Sequence, residues 1–338
     1  MKIMIAGIGG ASLGTELLKC LKLAGRYEVY GCDISPSAYG LYQSEFVKTY
    51  LIDRDRYIEN VLRACHDSGA TWILPGAEKT TILLGAAREE LSSNGARLVG
   101  NNPEIVRTFS DKAASFEVLA NKGIPIPKTV AVSGRLDLDG VQMPCIVKPS
   151  TDSGGSAMVF FAVDIEEAMI YAEYIKRMGI VPIAQEYIDD SEGEFTIGVL
   201  SLPDQTITGS IALRRSLDAK LSVMLSNRGG IISSGYSQGY IADYPDIRRQ
   251  AEEIAQAIGS TGPINVQGRV RDGVFIPFEI NPRFSASSYL RAMAGANEVD
   301  VYLQYLSSGK KAAGYQIREG WYLRTLAECY VAPEMQKK

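Results

Sequence analysis

Asn265-Val266-Gln267, the turn Arg271-Asp272-Gly273 and then Phe278-Glu279-Ile280-Asn281-Pro282-Arg283 make up the stretch that decides this fold. Residues 264–270 and 274–280 read as two β-strands joined by a tight turn. Glu279 and Asn281 lie two apart on one strand, so their side chains share a face. A three-residue loop with its glycine in the left-handed region would bring Gln267 onto that face; a two-residue Asp-Gly turn would put it on the other. With Gln267 included, the face offers oxygen ligands and neither imidazole nor thiolate, which suits Mg²⁺ bound to phosphates. Arg283, just past the Asn-Pro corner, is placed to stabilise charge on a transferring phosphoryl group.

Upstream, Cys145-Ile146-Val147-Lys148-Pro149 ends an apolar strand with a lysine, and a lysine buried there needs an anion. The Gly/Ser-rich run that follows, with Ser153, Gly154, Gly155 and Ser156, supplies backbone N–H groups able to cradle phosphate oxygens. Asp111-Lys112 begins a helix. Gln185-Glu186-Tyr187-Ile188 runs from a strand into a linker whose backbone can hydrogen-bond an adenine, and Glu194, eight residues past Glu186, can take ribose hydroxyls. Residues 214–240 carry Ser, Gly and Arg with little periodicity and are expected to form an active-site loop. One of its arginines, Arg214 or Arg228 ahead of Arg215, is expected to orient a substrate carboxylate through its planar fork.

The rest of the chain supports a two-part organisation. Apolar strands at 2–7, 28–33, 71–75 and 97–100 alternate with helical patterns at 12–24, 56–68 and 78–93, the rhythm of a doubly wound parallel sheet. Gly7-Ile8-Gly9-Gly10-Ala11-Ser12-Leu13-Gly14 follows the first strand, and Asp33 ends the second, as in dinucleotide folds. Ser12 replaces the third glycine of that fingerprint, so a scaffold turn is expected rather than a nicotinamide site. From residue 111 onward the pattern changes to mixed α+β, with helices at 112–122, 165–178, 244–258, 287–294 and 298–306 and strands at 143–148, 156–161, 181–187 and 194–200. The expected organisation is an N-terminal unit over 1–108, a second over 109–308 with a mobile lid at about 125–190, and a tail over 309–338.

Composition narrows the function classes. A net charge of −4 over 338 residues lacks the basic footprint of a nucleic-acid binder. No apolar run approaches the roughly 18 residues that span a bilayer, and no signal-peptide pattern opens the chain, so a cytoplasmic location is expected. The five cysteines form no Cys-x-x-Cys pair and read as reduced, mostly buried thiols. His66 is the single histidine and reads as a surface helix end, which leaves chemistry to carboxylates, lysines, arginines and bound phosphate.

Lys112, Lys148 with its glycine-rich loop, Glu194, Gln267, Glu279, Asn281 and Arg283 resemble, in that order, the signature of the ATP-grasp superfamily. Asn265-Val266-Gln267 and Glu279-Ile280-Asn281-Pro282-Arg283-Phe284-Ser285 are most similar to one synthetase unit of the carbamoyl-phosphate synthase large subunit, which carries two such units where this sequence holds one. The resemblance covers about residues 1–308. It implies a Rossmann-like parallel sheet followed by an ATP-grasp fold, two α+β subdomains clasping ATP. It further implies that Lys112, Lys148 and the Ser153–156 loop contact ATP phosphates, that Glu186 and Ile188 hold adenine through main chain, and that Glu194 holds ribose. Gln267, Glu279 and Asn281 would bind Mg²⁺, with Mn²⁺ an admissible substitute, and Arg283 with Lys148 would act in catalysis. The implied activity is an ADP-forming ligase joining a small-molecule carboxylate to an amine-like nucleophile through an acyl phosphate, without nucleic acid or membrane partners and with a homodimer allowed. Alternatives from other classes are a nicotinamide-dependent oxidoreductase using the Gly7–Gly14 turn and a non-catalytic ATP sensor.

Overall fold

The structure, a computed structural model, describes residues 1–10, 12–151, 157–227, 229–312 and 314–337. The chain opens with β1 (Lys2–Ala6), α1 (Leu13–Ala24), β2 (Glu28–Asp33), β3 (Lys48–Leu51), α2 (Tyr57–Ser68), β4 (Trp72–Pro75), α3 (Glu78–Ala86), α4 (Arg88–Ser93) and β5 (Arg97–Leu98). The strands lie parallel in the order β3-β2-β1-β4-β5. β1 is apolar without alternation because both its faces are covered: Ile3 and Ile5 enter one core, Met4 and Ala6 another. β3 was not foreseen, and the helix expected over 78–93 is two helices, broken at Ala87 where ψ reaches 14°.

Next come α5 (Pro103–Phe109), α6 (Lys112–Asn121), β6 (Thr129–Ala131), β7 (Cys145–Pro149), β8 (Phe160–Ala162), α7 (Ile165–Lys176) and β9 (Pro182–Glu186). These strands form an antiparallel sheet in the order β6-β9-β7-β8. Cys145 and Val147 of β7 join Ala168, Ala172 and Ile175 of α7 in one core, so the alternate residues Ile146 and Lys148 face the other way.

The remainder is β10 (Glu194–Ser201), β11 (Ile207–Arg215), β12 (Val223–Asn227), β13 (Gly230–Ser233), β14 (Gly239–Ala242), α8 (Pro245–Ala257), β15 (Pro263–Arg271), β16 (Val274–Asn281), α9 (Ser288–Met293), α10 (Glu298–Ser308) and β17 (Gly320–Tyr322). Six strands make an antiparallel sheet, β16-β15-β10-β11-β14-β17, and β12 pairs with β13 alone. The stretch 214–240 is therefore not the aperiodic loop expected: it ends β11, forms the β12–β13 hairpin and enters β14. The register shift between Val223 and Leu225 disrupts the two-residue alternation that would have revealed the hairpin.

The last helices complete the first sheet. Leu17 and Leu21 of α1 share a core with Ala292 of α9 and Val299 and Leu303 of α10. The tail returns the same way, with Arg324 Nη2 3.1 Å from Glu16 Oε2 and Lys337 Nζ donating to the Thr49 carbonyl at 2.6 Å.

Candidate active site

A cleft lies between the four-stranded sheet and the six-stranded one, lined from both sides. Lys148 enters it from β7 because its strand neighbours Cys145 and Val147 are committed to the α7 core. It is 5% exposed. Its Nζ donates to Gln185 Oε1 at 2.8 Å and to the Phe278 carbonyl at 3.2 Å, so it joins the two sheets. Neither partner is charged. Burial, with the nearby Lys112 cation adding to it, brings the Lys148 ammonium down to about 7. Lys112 arrives from the start of α6, whose first turn is fixed by Asp111 accepting from the Ala113 and Ala114 amides at 2.8 and 3.2 Å. Its own amide donates to the Ser150 carbonyl at 2.8 Å, which ties α6 to the end of β7.

The β15–β16 hairpin resolves the register that the sequence left open. Its turn is the two-residue one: Arg271 pairs with Val274, and Asp272 and Gly273 have φ of 54° and 73°. Continued unbroken, that register would set Gln267 opposite Phe278. A bulge between Gln267 and Gly268 shifts it, so Gln267 faces Glu279 and Asn265 faces Asn281. Gln267 Nε2 donates to Glu279 Oε2 at 3.0 Å. The bulged residue is Phe278, whose carbonyl accepts the Lys148 bond, so one irregularity sets both the oxygen face and a lysine contact. Burial opposes ionisation of Glu279, but Lys112 at 3.5 Å, Lys148, Arg283 and a bond to Asn281 together outweigh it and hold the carboxyl below its usual range.

Arg283 leaves the end of this hairpin and turns back on it: its amide donates to the Asn281 carbonyl at 2.8 Å and Nη2 to Asn281 Oδ1 at 3.1 Å. Across from it stands Glu78 of α3, with an oxygen 3.9 Å from Arg283 Nη2. Glu78 was not among the residues expected here. Its signal was positional, an acid directly after the carboxyl end of a parallel strand, where open α/β sheets bind ligands.

Glu194 lines the cleft and is also held by ion pairs. Its side chain is 0% exposed, with Oε2 2.9 Å from Arg269 Nε and Oε1 3.4 Å from Arg215 Nη1. It is the counter-ion of two buried arginines. Arg269 carries the contacts outward, donating to the Ile188 carbonyl at 2.6 Å and the Ile231 carbonyl at 2.7 Å and lying over the Tyr187 ring. It thus fastens the linker 186–188 to the β12–β13 hairpin, whose Ile231, Ile232 and Ser233 line the cleft. Since the Ile188 carbonyl is used, its amide is the main-chain group left to meet a base. Glu186 lines the same cleft, paired to Arg271 at 2.5 Å.

The structure brings Lys112, Lys148, Gln267, Glu279, Asn281 and Arg283 together. It does not bring Arg214 to them. Arg214 lies opposite Phe195 on β10, whereas Gln267 lies opposite Thr196, so Arg214 stands on the other face of the sheet beside Tyr240. Arg215 is the arginine on the inner face, and Ser222, Ser234 and Tyr236 carbonyls take its Nη2. Ser153, Gly154, Gly155, Ser156 and Arg228 lie outside the described residues.

The described residues of the N-terminal glycine turn are held by local hydrogen bonds and close backbone packing. Asp33 accepts the Ile8 amide at 2.7 Å and the Ser35 amide at 3.0 Å, and the Gly40 amide caps the Ile8 carbonyl at 2.9 Å. A Cβ on Gly14 would lie 2.0 Å from the Gly7 carbonyl oxygen, so this glycine serves backbone packing. Of the cysteines, Cys20, Cys32, Cys65 and Cys145 are buried free thiols and Cys329 is an exposed one. His66 is exposed in the last turn of α2. Among the described residues no helix is long and apolar enough to cross a membrane.

Two family profiles match this region, a RimK-like ATP-grasp domain over residues 109–234 and an ATP-grasp in the biosynthetic pathway with Ter operon over 193–329. The carbamoyl phosphate synthase large chain of Streptomyces griseus is 25% identical over 207 residues, covering 58% of this chain and 18% of its own. That of Neisseria meningitidis serogroup B is 26% identical over 202 residues, with the same shares of 58% and 18%. The chain thus matches under a fifth of the length of these relatives. Among solved structures, N5-carboxyaminoimidazole synthetase from Staphylococcus aureus complexed with ADP superposes with a TM-score of 0.69 at 14% identity, covering 94% of this chain and 79% of its own. The biotin carboxylase domain of Hydrogenobacter thermophilus 2-oxoglutarate carboxylase gives 0.68 at 16% identity, covering 94% and 72%. L-amino acid ligase from Bacillus licheniformis gives 0.66 at 15%, covering 90% and 73%.

Proposed function

Because the chain belongs to the ATP-grasp superfamily, we propose that it is an ADP-forming ligase that activates a small-molecule carboxylate as an acyl phosphate and passes it to an amine. The observation that carries this reading is the convergence of Lys112, Lys148 and Arg283 on the carboxylate of Glu279. Three cations face two carboxylates, Glu279 and, beside Arg283, Glu78, and phosphate oxygens would add the anionic partners that Lys112 and Lys148 share only with Glu279.

The donor set fits magnesium. One carboxylate and two side-chain amides, Glu279 with Gln267 and Asn281, supply few protein ligands, and Mg²⁺ takes the rest of its sphere from phosphates and water. Gln267 turns its nitrogen to Glu279, which leaves its oxygen for a cation. When bound, the metal would neutralise charge on the β- and γ-phosphate oxygens.

Within this reading, the linker 186–188 receives adenine through the Ile188 amide and the Glu186 main chain. Lys148 and Lys112 hold the phosphates. No ribose role is proposed for Glu194. A substrate carboxylate oxygen attacks the γ-phosphorus while the bond to ADP breaks. Arg283, rather than Arg214, then holds the charged acyl phosphate. Catalysis comes from positioning and charge neutralisation, with no protein nucleophile. The test is ADP release from Mg-ATP across paired panels of carboxylates (bicarbonate, dicarboxylates, the standard amino acids) and amines (ammonium, amino acids). Release that requires a particular carboxylate supports the reading; release no greater than the ATP-only blank throughout would remove it.

A further inference from the structure

The ligase reading leaves Glu78 without a task. It stands in the first turn of α3, at the carboxyl end of β4, and reaches the site from the parallel sheet. Its distance of 3.9 Å to Arg283 is too long for a hydrogen bond, and no described residue hydrogen-bonds its carboxylate. It lines a small cavity with Ser110, Lys112, Glu279 and Asn281, and this cavity shares Lys112 and Glu279 with the nucleotide cleft.

A carboxylate here works against the rest of the site. It repels phosphate and competes for the guanidinium that would hold an acyl phosphate. A cation arriving beside the acyl group would remove that conflict. The amine nucleophile is such a cation: as ammonium it needs an anion to hold it, and it must lose a proton before its lone pair can attack.

We propose that Glu78 receives the ammonium group of the attacking amine and takes its first proton, a role that rests on the ligase reading. The nitrogen lone pair forms the C–N bond, and the C–O bond to phosphate breaks with its electron pair leaving on phosphate. Of the two protons the ammonium loses, one passes through Glu78 to solvent and the other ends on the departing phosphate. Glu78 is then a specificity-determining residue contributed by the N-terminal sheet.

The experiment uses the carboxylate–amine pair giving the fastest ADP release and compares wild type with Glu78→Gln. Each is run with the amine and, separately, with hydroxylamine, an uncharged nucleophile near pH 8 that traps the acyl phosphate as a hydroxamate. The expected result is hydroxamate formation within about two-fold of wild type and amide formation slower by about 30-fold or more, the loss that follows removal of one member of a charge pair. The amide deficit should appear mainly as a higher KM for the amine and be relieved by Glu78→Asp. Equal loss of both products would make Glu78 a support for Arg283 and overturn the proposal, as would unchanged amide kinetics. A wild type that releases no ADP with any pair would remove the ligase reading and this proposal with it.

Discussion

The Gln267 amide nitrogen stands 3.0 Å from a Glu279 carboxylate oxygen, the two facing each other across adjacent antiparallel strands. Glu279 is also the anion shared by Lys112, Lys148 and Arg283. Glu279→Gln should therefore lower ADP release on the order of 100-fold or more, the size of effect seen when a charge-stabilising group is lost. The circular dichroism spectrum should be unchanged. ADP release near the wild-type rate would rule out the proposed metal face.

Lys148 yields a proton-linkage prediction. Its folded value of about 7 lies below the ordinary 10.5. The unfolded chain therefore holds more protons between those values, and the nucleotide-free protein should gain stability as pH rises through that window. Phosphates bound beside the lysine would favour its charged form, so magnesium-free ATP should bind at pH 8 with uptake of close to one proton, falling toward zero below pH 6. Calorimetry in buffers of different ionisation enthalpy measures the uptake. A zero slope at pH 8, or the same slope in Lys148→Met, would contradict the assignment.

The buried Glu194 cluster should matter for stability. Glu194→Gln leaves Arg215 and Arg269 without their counter-ion, a loss of about 3–5 kcal/mol for a broken buried pair. Urea unfolding should report it as a lower midpoint. A loss under about 1 kcal/mol, the level of a surface pair, would show the cluster to be solvent-screened.

Gly230 sits where a Cβ would come within 2.3 Å of the Phe161 ring. Gly230→Ala should push the β12–β13 hairpin off β8 and weaken ATP binding by roughly 10-fold, about 1.4 kcal/mol. Adding Phe161→Leu should recover most of it. Unaltered ATP affinity in the single variant would mean that the hairpin does not shape the cleft.

Asp33→Ala should separate scaffold from chemistry. It removes the acceptor of the Ile8 and Ser35 amides, costing about 1–3 kcal/mol of stability, while ADP release stays at the wild-type rate. A selective loss of turnover at full stability would return the glycine turn to consideration as a ligand site.

The parallel sheet was legible because β1, β2 and β4 are apolar runs spaced by amphipathic helices, a pattern local in the chain. Lys148 was legible because a lysine on an apolar strand conflicts with burial. Gln267 was legible in type but not in direction, since a bulge at Phe278 decides its face and no local propensity marks that bulge. Arg214 and Arg215 could not be told apart for a similar reason: which arginine turns inward depends on the β10–β11 register, fixed by pairing at a distance. Glu194 was legible as an acid of the cleft, whereas its ion pairs with Arg269 and Arg215 were not, since those arginines come from strands that flank it only in the folded chain. Glu78 was missed because the reading stayed on the hairpin and did not carry the carboxyl-end rule of parallel sheets into the first hundred residues.

The closing of the first sheet by the last helices bears on how the protein is made. Tyr27 bonds Asp300, Asn297 bonds the Cys20 carbonyl and Arg324 meets Glu16, across 273, 277 and 308 residues of chain. On a ribosome adding about 5–20 residues per second, the apolar flank of α1 would wait roughly 15 to 60 seconds for its cover. Through that interval Leu17 and Leu21 lack their partners on α9 and α10. The emerging amino-terminal third is thus a natural client for a holding chaperone, and translation that stalls before residue 300 should yield aggregates rather than a soluble fragment.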